Sequence, residues 1–336
     1  MVDLHTHSSA SDGSLSPARL LERASQVGIK LLALTDHDTF AGLDEGKKAA
    51  ESLGIRFIPG VELEIQTEKP ETGATPVLNP ENSRPLGEDA AGKEEPPAGK
   101  GGSAFAQEDT PAGTGGSAAV QADTPAIKGE FHLLGLGINR ITAEFRSTLA
   151  WLGGARERRN LAMVEKMRAA GIEADYEAVK AFAGGDLVGR PHFGLFLVSK
   201  GVVKNQDQAF KRWLGKGRPF YVPREGLAFT KALGLIHQAG GIALLAHPLS
   251  LYVSWGRLPD LLARLKEQGL DGIEAWHPNA GIGACKRLEE LGRRLGLRIS
   301  AGSDFHGSAR PDRRLGHTAG NQRIDDRFLE ALQGLI

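Results

Sequence analysis

Short apolar runs alternate with amphipathic stretches along most of the chain, which predicts strands and helices in turn. Two of the amphipathic stretches are SPARLLERASQVG and LPDLLARLKEQG, and the first begins with Ser16 and Pro17, a typical N-cap and first-turn pair. Helices that alternate with apolar strands indicate parallel βαβ units. The predicted strands cover residues 2–7, 30–38, 55–65, 130–138, 241–248, 271–278 and 297–307.

Seven predicted strands favour an α/β barrel of the (β/α) type over an open sheet. Residues 140–221 interrupt the alternation with helical patterns such as RRNLAMVEKMRAAG, so we expect a helical subdomain inserted between two barrel strands. Residues 66–129 hold eight of the 17 prolines, and Phe105 is their only aromatic residue. Because so little apolar surface cannot offset the entropy of ordering, we expect a disordered, low-complexity insertion. The barrel is then expected in residues 1–65, 130–139 and 222–336.

The charge balance argues against a polyelectrolyte partner. The chain has 41 Lys and Arg against 41 Asp and Glu, and outside residues 66–129 the balance is 36 against 31. A surplus of about +5 suits a small anionic substrate better than duplex nucleic acid or an anionic membrane. No apolar run approaches the roughly 18 residues of a membrane span, and the N-terminus shows no secretory signal. With a single cysteine, Cys285, a disulfide framework is excluded, and we expect a cytoplasmic protein.

Histidines and carboxylates gather at the ends of the predicted strands. The carboxyl ends of barrel strands form one rim, so residues scattered along the chain are expected to converge there. Alternation in a strand puts residues i and i+2 on one face, so His5 and His7 can bind one ion, as can Asp304 and His306. Such groups are costly to bury unless they are paired or bound to metal. The residues concerned are His5, His7, His37, Glu62, His247, Asp304 and His306, with His132 near the start of its own run.

Four other residues are of a type that can bind metal. His237, in the helical pattern ALGLIHQAGG, is interpreted as an ordinary helix residue, and His317 as a structural residue. Cys285 lies in a helical pattern and is interpreted as a small buried hydrophobic residue. His277 ends the sixth predicted strand and points toward the same rim, so both interpretations stay open for it.

The motifs resemble those of the PHP (polymerase and histidinol phosphatase) phosphoesterases. The segments DLHTHSSASDGSLSP, ALTDHDTFAG, IPGVE, HLLGLGI, GRPHF, YVP, GGIALLAHP and GSDFHG occur in the order that this family shows. The resemblance covers nearly the whole chain apart from the insertion, and it is greatest to bacterial enzymes of the nucleoside 3',5'-bisphosphate phosphatase and 5'-3' exoribonuclease type. It implies a distorted (β/α)7 TIM-like barrel with a helical inserted subdomain.

The resemblance also implies a centre of three divalent metal ions. Nitrogen and oxygen ligands without thiolate favour Mn, Fe, Zn or Mg, and we expect Mn. Asp36 and Asp38, which flank His37, are expected to orient imidazole rings. The implied ligands are His5, His7, Glu62 and Asp304 for the first ion, Glu62, His132 and His247 for the second, and Asp12, His37 and His306 for the third.

The implied reaction is hydrolysis of phosphate esters of nucleotides, or of the 5' ends of short single-stranded RNA, by a metal-bound hydroxide. Glu62, His247 and Asp304 are expected at the reacting centre, and Arg190 and His192 of GRPHF are expected to contact the phosphate. Lys216, Arg218 and Tyr221 are candidates for a second phosphate or a base.

Three alternatives stay open: a histidinol-phosphate phosphatase, a metal-dependent amidohydrolase, and a non-enzymatic, metal-stabilised docking module. Amidohydrolases usually have a bridging modified Lys, and none of the predicted strands ends in a Lys among the ligands. The insertion separates Glu62 from His132, so the second metal site requires the third and fourth strands to pair on either side of it.

Overall fold

A computed structural model describes residues 1–67, 127, 129–183, 188–223 and 225–335. Nearly all of the predicted disordered insertion, residues 66–129, lies outside these residues. In the described ranges, seven strands form one sheet in the order β1 to β7, and β8 and β9 form a separate antiparallel pair. The strands are β1 (Val2–Asp3), β2 (Leu31–Leu34), β3 (Arg56–Glu64), β4 (His132–Leu136), β5 (Ile242–Leu245), β6 (Gly272–Trp276), β7 (Arg298–Ala301), β8 (His317–Thr318) and β9 (Gln322–Arg323).

The helices surround this sheet and connect its strands. Ser16 accepts a hydrogen bond from the Arg19 amide and caps the first helix, as its sequence predicts. No helix in the described part of the chain is both long and apolar enough to cross a bilayer. The α-helices are α1 (Pro17–Gln26), α2 (Leu43–Leu53), α3 (Ala143–Ala169), α4 (Tyr176–Lys180), α5 (Arg190–Ser199), α6 (Gln206–Ala209), α7 (Phe229–Gln238), α8 (Leu258–Glu267) and α9 (Ile282–Arg294).

Backbone hydrogen bonds join the two edges of the sheet just beyond β1 and β7. The Asp304 amide donates to the His5 carbonyl at 2.9 Å, and the His7 amide donates to the Phe305 carbonyl at 3.0 Å. Strands β2 and β5 are buried at every position, as expected for strands covered on both faces. The fold is therefore the nearly closed, mostly parallel α/β barrel that the sequence predicts.

Strand β4 runs antiparallel to both of its neighbours, so the expectation of parallel strands throughout is wrong here. Its register with β3 runs from Gly60 opposite Leu136 to Glu64 opposite His132, and it also pairs antiparallel with β5. Apolar periodicity carries no information about strand direction, which explains the error. Because of the reversal, the start of β4 lies at the rim where the neighbouring strands end, and this brings His132 to the rim.

Helices α3 to α6 lie between β4 and α7 and have an apolar cluster of their own. Thr142 caps α3 by accepting a hydrogen bond from the Phe145 amide at 3.1 Å. The cluster includes Met163, Phe193 and Phe196, all buried. On this basis we propose that residues 140–221 form a helical subdomain, with residues 1–65, 130–139 and 222–336 as the barrel.

Candidate metal centre

Four side chains at the barrel mouth bring a donor atom each close to those of the two histidines of the first strand end. The Nε2 atoms of His5 and His7 lie 3.0 Å apart, and each is 3.2 Å from Glu62 Oε2. Asp304 Oδ1 lies 3.5 Å from His5 Nε2 and 3.4 Å from His7 Nε2. Ligand atoms about 2.0 to 2.1 Å from a tetrahedral ion are roughly 3.3 Å from one another. The donor atoms of His5, His7 and Asp304 lie within 4.8 Å of one another, as ligands of one ion would, and Glu62 Oε2 lies against both imidazoles.

The second oxygen of Glu62 faces another pair of imidazoles. Glu62 Oε1 lies 2.9 Å from His132 Nδ1 and 3.0 Å from His247 Nε2. His132 is buried, and its Nε2 has no hydrogen-bond partner in the described residues. Strands β3 and β4 pair on either side of the insertion, so His132 stays beside Glu62 as the second predicted site requires. One carboxylate thus belongs to two groups of donors.

A third group forms around Asp12. Asp12 Oδ1 lies 3.2 Å from His306 Nε2, and Asp12 Oδ2 lies 3.9 Å from His37 Nε2. His7 also reaches this group, since its Nδ1 is 3.9 Å from Asp12 Oδ1 and has no hydrogen-bond partner among the described residues. The donor atoms of His7, Asp12, His37 and His306 lie within 4.8 Å of one another. The geometry therefore places His7 between the first and third groups, whereas the sequence assigns it to the first alone. It also places His37 beside the second group, because its Nδ1 lies 3.2 Å from Glu62 Oε2 and its donor atom is within 4.8 Å of those of Glu62 and His132.

Hydrogen bonds on the outer side of two rings fix which nitrogen faces the centre. His306 Nδ1 lies 2.8 Å from the Asp304 carbonyl and His5 Nδ1 lies 3.0 Å from Glu274 Oε1. Both partners can only accept, so each Nδ1 carries a proton and Nε2 is the nitrogen that remains available to a metal ion. These two imidazoles are therefore oriented as metal ligands.

Opposite charges perturb the titration of the buried cluster. Burial lowers the pKa of His7, but hydrogen bonds to Asp304 and Glu62 and the charge of Glu62 raise it to about 10. Burial also lowers the pKa of His132, and the charge and hydrogen bond of Glu62 raise it to about 9. Burial raises the pKa of Glu62 and Asp304, but the surrounding imidazoles hold both well below the usual range. Without bound cations, the cluster therefore balances its carboxylates with protons.

The two oxygens of Asp304 have different surroundings. Oδ1 faces the donors of the first group, whereas Oδ2 lies 3.3 Å from His277 Nε2 and 3.7 Å from both Arg310 Nη1 and Arg313 Nε. His277 Nδ1 accepts a hydrogen bond from the Asn279 amide, so its Nε2 carries the proton and donates to Asp304. His277, left open by the sequence, thus orients a predicted ligand.

Asp36 and Asp38 differ from their predicted role of orienting imidazoles. Asp36 accepts from the Ser8 amide and hydroxyl, both at 2.7 Å, and from the Ser11 hydroxyl at 2.6 Å. It therefore fixes the loop that carries Asp12. Asp38 accepts from the Glu64 amide and forms a buried ion pair with Arg156 of α3, which connects the helical segment to the rim.

Glu274, on β6, was not identified from the sequence as a site residue. It is fully buried, and its oxygens contact His5 and the backbone of His247. A signal was available, because an acidic residue inside the apolar run GIEAW is costly to bury without partners.

The structural interpretations of His237, His317 and Cys285 agree with their surroundings. His237 pairs with Asp271 at 2.8 Å on the outside of the barrel, and His317 donates to the Leu315 carbonyl. Cys285 is completely buried on α9.

A cavity of about 450 Å³ opens beside the second group of donors. Ser250, on its wall, has its hydroxyl 2.6 Å from His247 Nδ1. Arg190, Lys216 and Tyr221 also line it, and the Arg190 guanidinium lies 5.7 Å from the centre of the Tyr221 ring. Two other residues predicted to contact a phosphate or a base lie elsewhere in the described structure. Arg218 is exposed, and His192 Nδ1 accepts a hydrogen bond from the Gly189 amide at the start of α5. Neither is among the described residues that line the cavity.

Comparisons with known proteins agree with this site. A family model for the PHP domain matches residues 3–136. The chain is 32% identical over 304 residues to a 5'-3' exoribonuclease of Haemophilus influenzae, covering 90% of this chain and 89% of that protein. It is 28% identical over 318 residues to a 3',5'-nucleoside bisphosphate phosphatase of Chromobacterium violaceum, covering 94% and 91%. Both relatives are named for hydrolysis of phosphoric esters.

A solved structure extends the similarity to the fold. It is described as an amidohydrolase from Chromobacterium violaceum with bound sulfate and no metal, and it has a TM-score of 0.70 and 27% identity to this chain. The similarity covers 98% of this chain and 96% of that one.

Proposed function

Because the chain belongs to the PHP family, we propose that it is a metal-dependent phosphoesterase that hydrolyses phosphate esters of nucleotides or of short single-stranded RNA. The observation that supports this most strongly is the position of Glu62, whose two oxygens face two different groups of donors. The Haemophilus influenzae and Chromobacterium violaceum relatives act on RNA and on a nucleoside bisphosphate, respectively.

We propose that the donor groups hold three divalent ions, with Mn as the ion expected. When bound, such ions supply Lewis acidity toward water and the oxygens of a phosphate. The donor set fits them because it contains nitrogen and oxygen atoms without thiolate. The proposed ligands are His5, His7, Glu62 and Asp304, then Glu62, His132 and His247, and then Asp12, His37 and His306.

The chain's own residues would bind and orient the substrate beside these donors. Arg190 lines the cavity next to the second group, where its planar guanidinium suits two oxygens of one phosphate. Tyr221 and Lys216 on the same wall suit a base and a second phosphate. His192, which caps the helix that begins with Arg190, would act by holding that helix end in place. A cavity of this size admits a nucleotide or a strand end, and duplex is not expected to enter.

The direct test is phosphate release from three substrates: a nucleoside 3',5'-bisphosphate, histidinol phosphate and a short 5'-phosphorylated RNA. We expect turnover of the bisphosphate or the RNA with added Mn²⁺ and none after chelation. His132→Gln, at the barrel mouth, should abolish most of the Mn²⁺-dependent turnover, whereas His237→Gln, on the outside of the barrel, should leave that turnover unchanged. Hydrolysis of an amide or a lactam with no phosphoester turnover would refute the proposal. Faster turnover of histidinol phosphate than of the other two substrates would refute the proposed nucleotide or RNA substrate but not the phosphoesterase activity.

A further inference from the structure

Glu274 contacts predicted ligands from two different donor groups. Its Oε1 lies 3.0 Å from His5 Nδ1, and its Oε2 accepts a hydrogen bond from the His247 backbone amide at 2.8 Å. We infer that Glu274 is a positioning residue that sets the ring of His5 and the backbone of His247 together, so that the first and second donor groups form as a unit. This inference rests on the proposed metal centre.

On the His5 side, the carboxylate determines which nitrogen faces the ions. A carboxylate only accepts, so the His5 Nδ1 atom donates and the Nε2 lone pair points toward His7, Glu62 and Asp304. A carboxylate behind a ligating imidazole also increases its basicity as a ligand. Glu274 therefore acts on the first group through His5 and without touching its centre.

On the His247 side, the same carboxylate holds a strained turn. His247 has φ of 27° and ψ of 66°, a conformation that non-glycine residues adopt only when their surroundings impose it. Its amide donates to Glu274 Oε2, and its Nε2 reaches Glu62 Oε1 at 3.0 Å. Loss of this acceptor would free the turn and move an imidazole of the second group.

The fold leaves room for this contact at Gly302. A Cβ atom there would lie 2.2 Å from His5 Cβ and 2.6 Å from Glu274 Oε1. The register between β6 and β7 also shifts between Glu274 and Trp276, and such irregularities change the direction in which a side chain points. The absence of a side chain at Gly302 and the shift in the β6–β7 register thus both make space for the Glu274 carboxylate beside His5.

Glu274→Gln tests the inference because it preserves shape and removes one acceptor. An amide offers one oxygen and one NH2, so it cannot accept from both His5 Nδ1 and the His247 amide. Glu289→Gln is the matched control. Glu289 accepts a hydrogen bond from the indole of Trp276, which lies on β6 as Glu274 does, and it contacts none of the predicted ligands.

Mn²⁺ affinity, measured by titration calorimetry and by metal content after dialysis, gives a readout independent of turnover. We expect Glu274→Gln to bind Mn²⁺ about 10- to 100-fold more weakly than wild type, with Glu289→Gln within twofold and both variants folded by circular dichroism. Equal affinity in Glu274→Gln and wild type would overturn the inference while the proposed function stands. A wild-type chain that binds none of Mn²⁺, Mg²⁺, Fe²⁺ and Zn²⁺ would overturn the proposed function itself.

A second measurement needs no variant and covers the case in which Glu274→Gln fails to fold. In the zinc-loaded wild-type protein with ¹⁵N-labelled histidine, we expect the His5 Nδ1 atom to carry a proton that is protected from solvent exchange. A His5 that carries its proton on Nε2 would refute the positioning role.

Discussion

Replacing Glu62 with Gln removes the negative charge around which the imidazoles are arranged, and the effect on the metal-free protein should depend on pH. Burial lowers the pKa of His132, whereas the charge and hydrogen bond of Glu62 raise it from 6.5 to about 9. That difference corresponds to about 3 kcal/mol in favour of the protonated ring in the folded chain. Glu62 acts in the same direction on His7, whose pKa rises to about 10.

The sign of the pH dependence follows from the direction of these changes. Because the folded pKa lies above the unfolded one, the stabilisation is fully present below pH 6.5 and is lost as the pH rises through about 9 to 10. Toward the upper end, His132 and then His7 lose their protons, and fewer charged partners compensate the buried carboxylate of Glu62. We therefore expect Glu62→Gln to be less stable than wild type by about 3 kcal/mol at pH 6.5 and the difference to narrow steadily as the pH rises to 10.

Urea unfolding in the presence of a chelator, at several pH values from 6.5 to 10, measures this difference. Surface groups that titrate in the same window are common to both proteins, so they cancel when the two curves are subtracted. A difference in stability that stays constant across the window would show that the charge of Glu62 does not control these histidines.

Two further predictions concern protons and a buried ion pair. Loading the metal-free protein with Mn²⁺ at pH 7 should release at least two protons, one each from His7 and His132, because their raised pKa values keep both rings protonated. Calorimetry in buffers of different ionisation enthalpy gives the number of protons released. A number near zero would contradict the assignment of these two histidines as ligands. Arg156→Ala should destabilise the protein by roughly 3 to 5 kcal/mol, since it leaves Asp38 buried without its partner. Adding Asp38→Asn to that variant should recover much of the loss in urea unfolding, and strictly additive losses would contradict the pairing.

The strand ends carried most of the information that could be predicted from the sequence. His5, His37 and His247 each follow an apolar run, and the barrel geometry brings the ends of such runs together. The order of the seven strands also follows from the alternation with helices. The direction of β4 does not, because the same apolar pattern fits a strand that runs either way; His132 reaches the rim by a reversal that periodicity cannot show.

The residues behind the ligands were the hardest to assign from the sequence. Asp38 and Arg156 are 118 positions apart, and no local pattern links them. The roles of Glu274 and His277 depend on which atoms they meet across the barrel. Asp36 sits beside His37 in sequence but binds the loop of Ser8 and Ser11 in space, so proximity along the chain misled the interpretation.

Glu64 and His132 face each other as partners in the β3–β4 ladder, so the segment between them departs and returns at points about 5 Å apart, whatever its length. Material can therefore be added or removed there at small entropic cost while Glu62 and His132 keep their relative positions. Residues 64–67 and 129–131, on the two sides of this segment, also line the cavity, so whatever sequence the segment carries begins and ends beside the proposed substrate site.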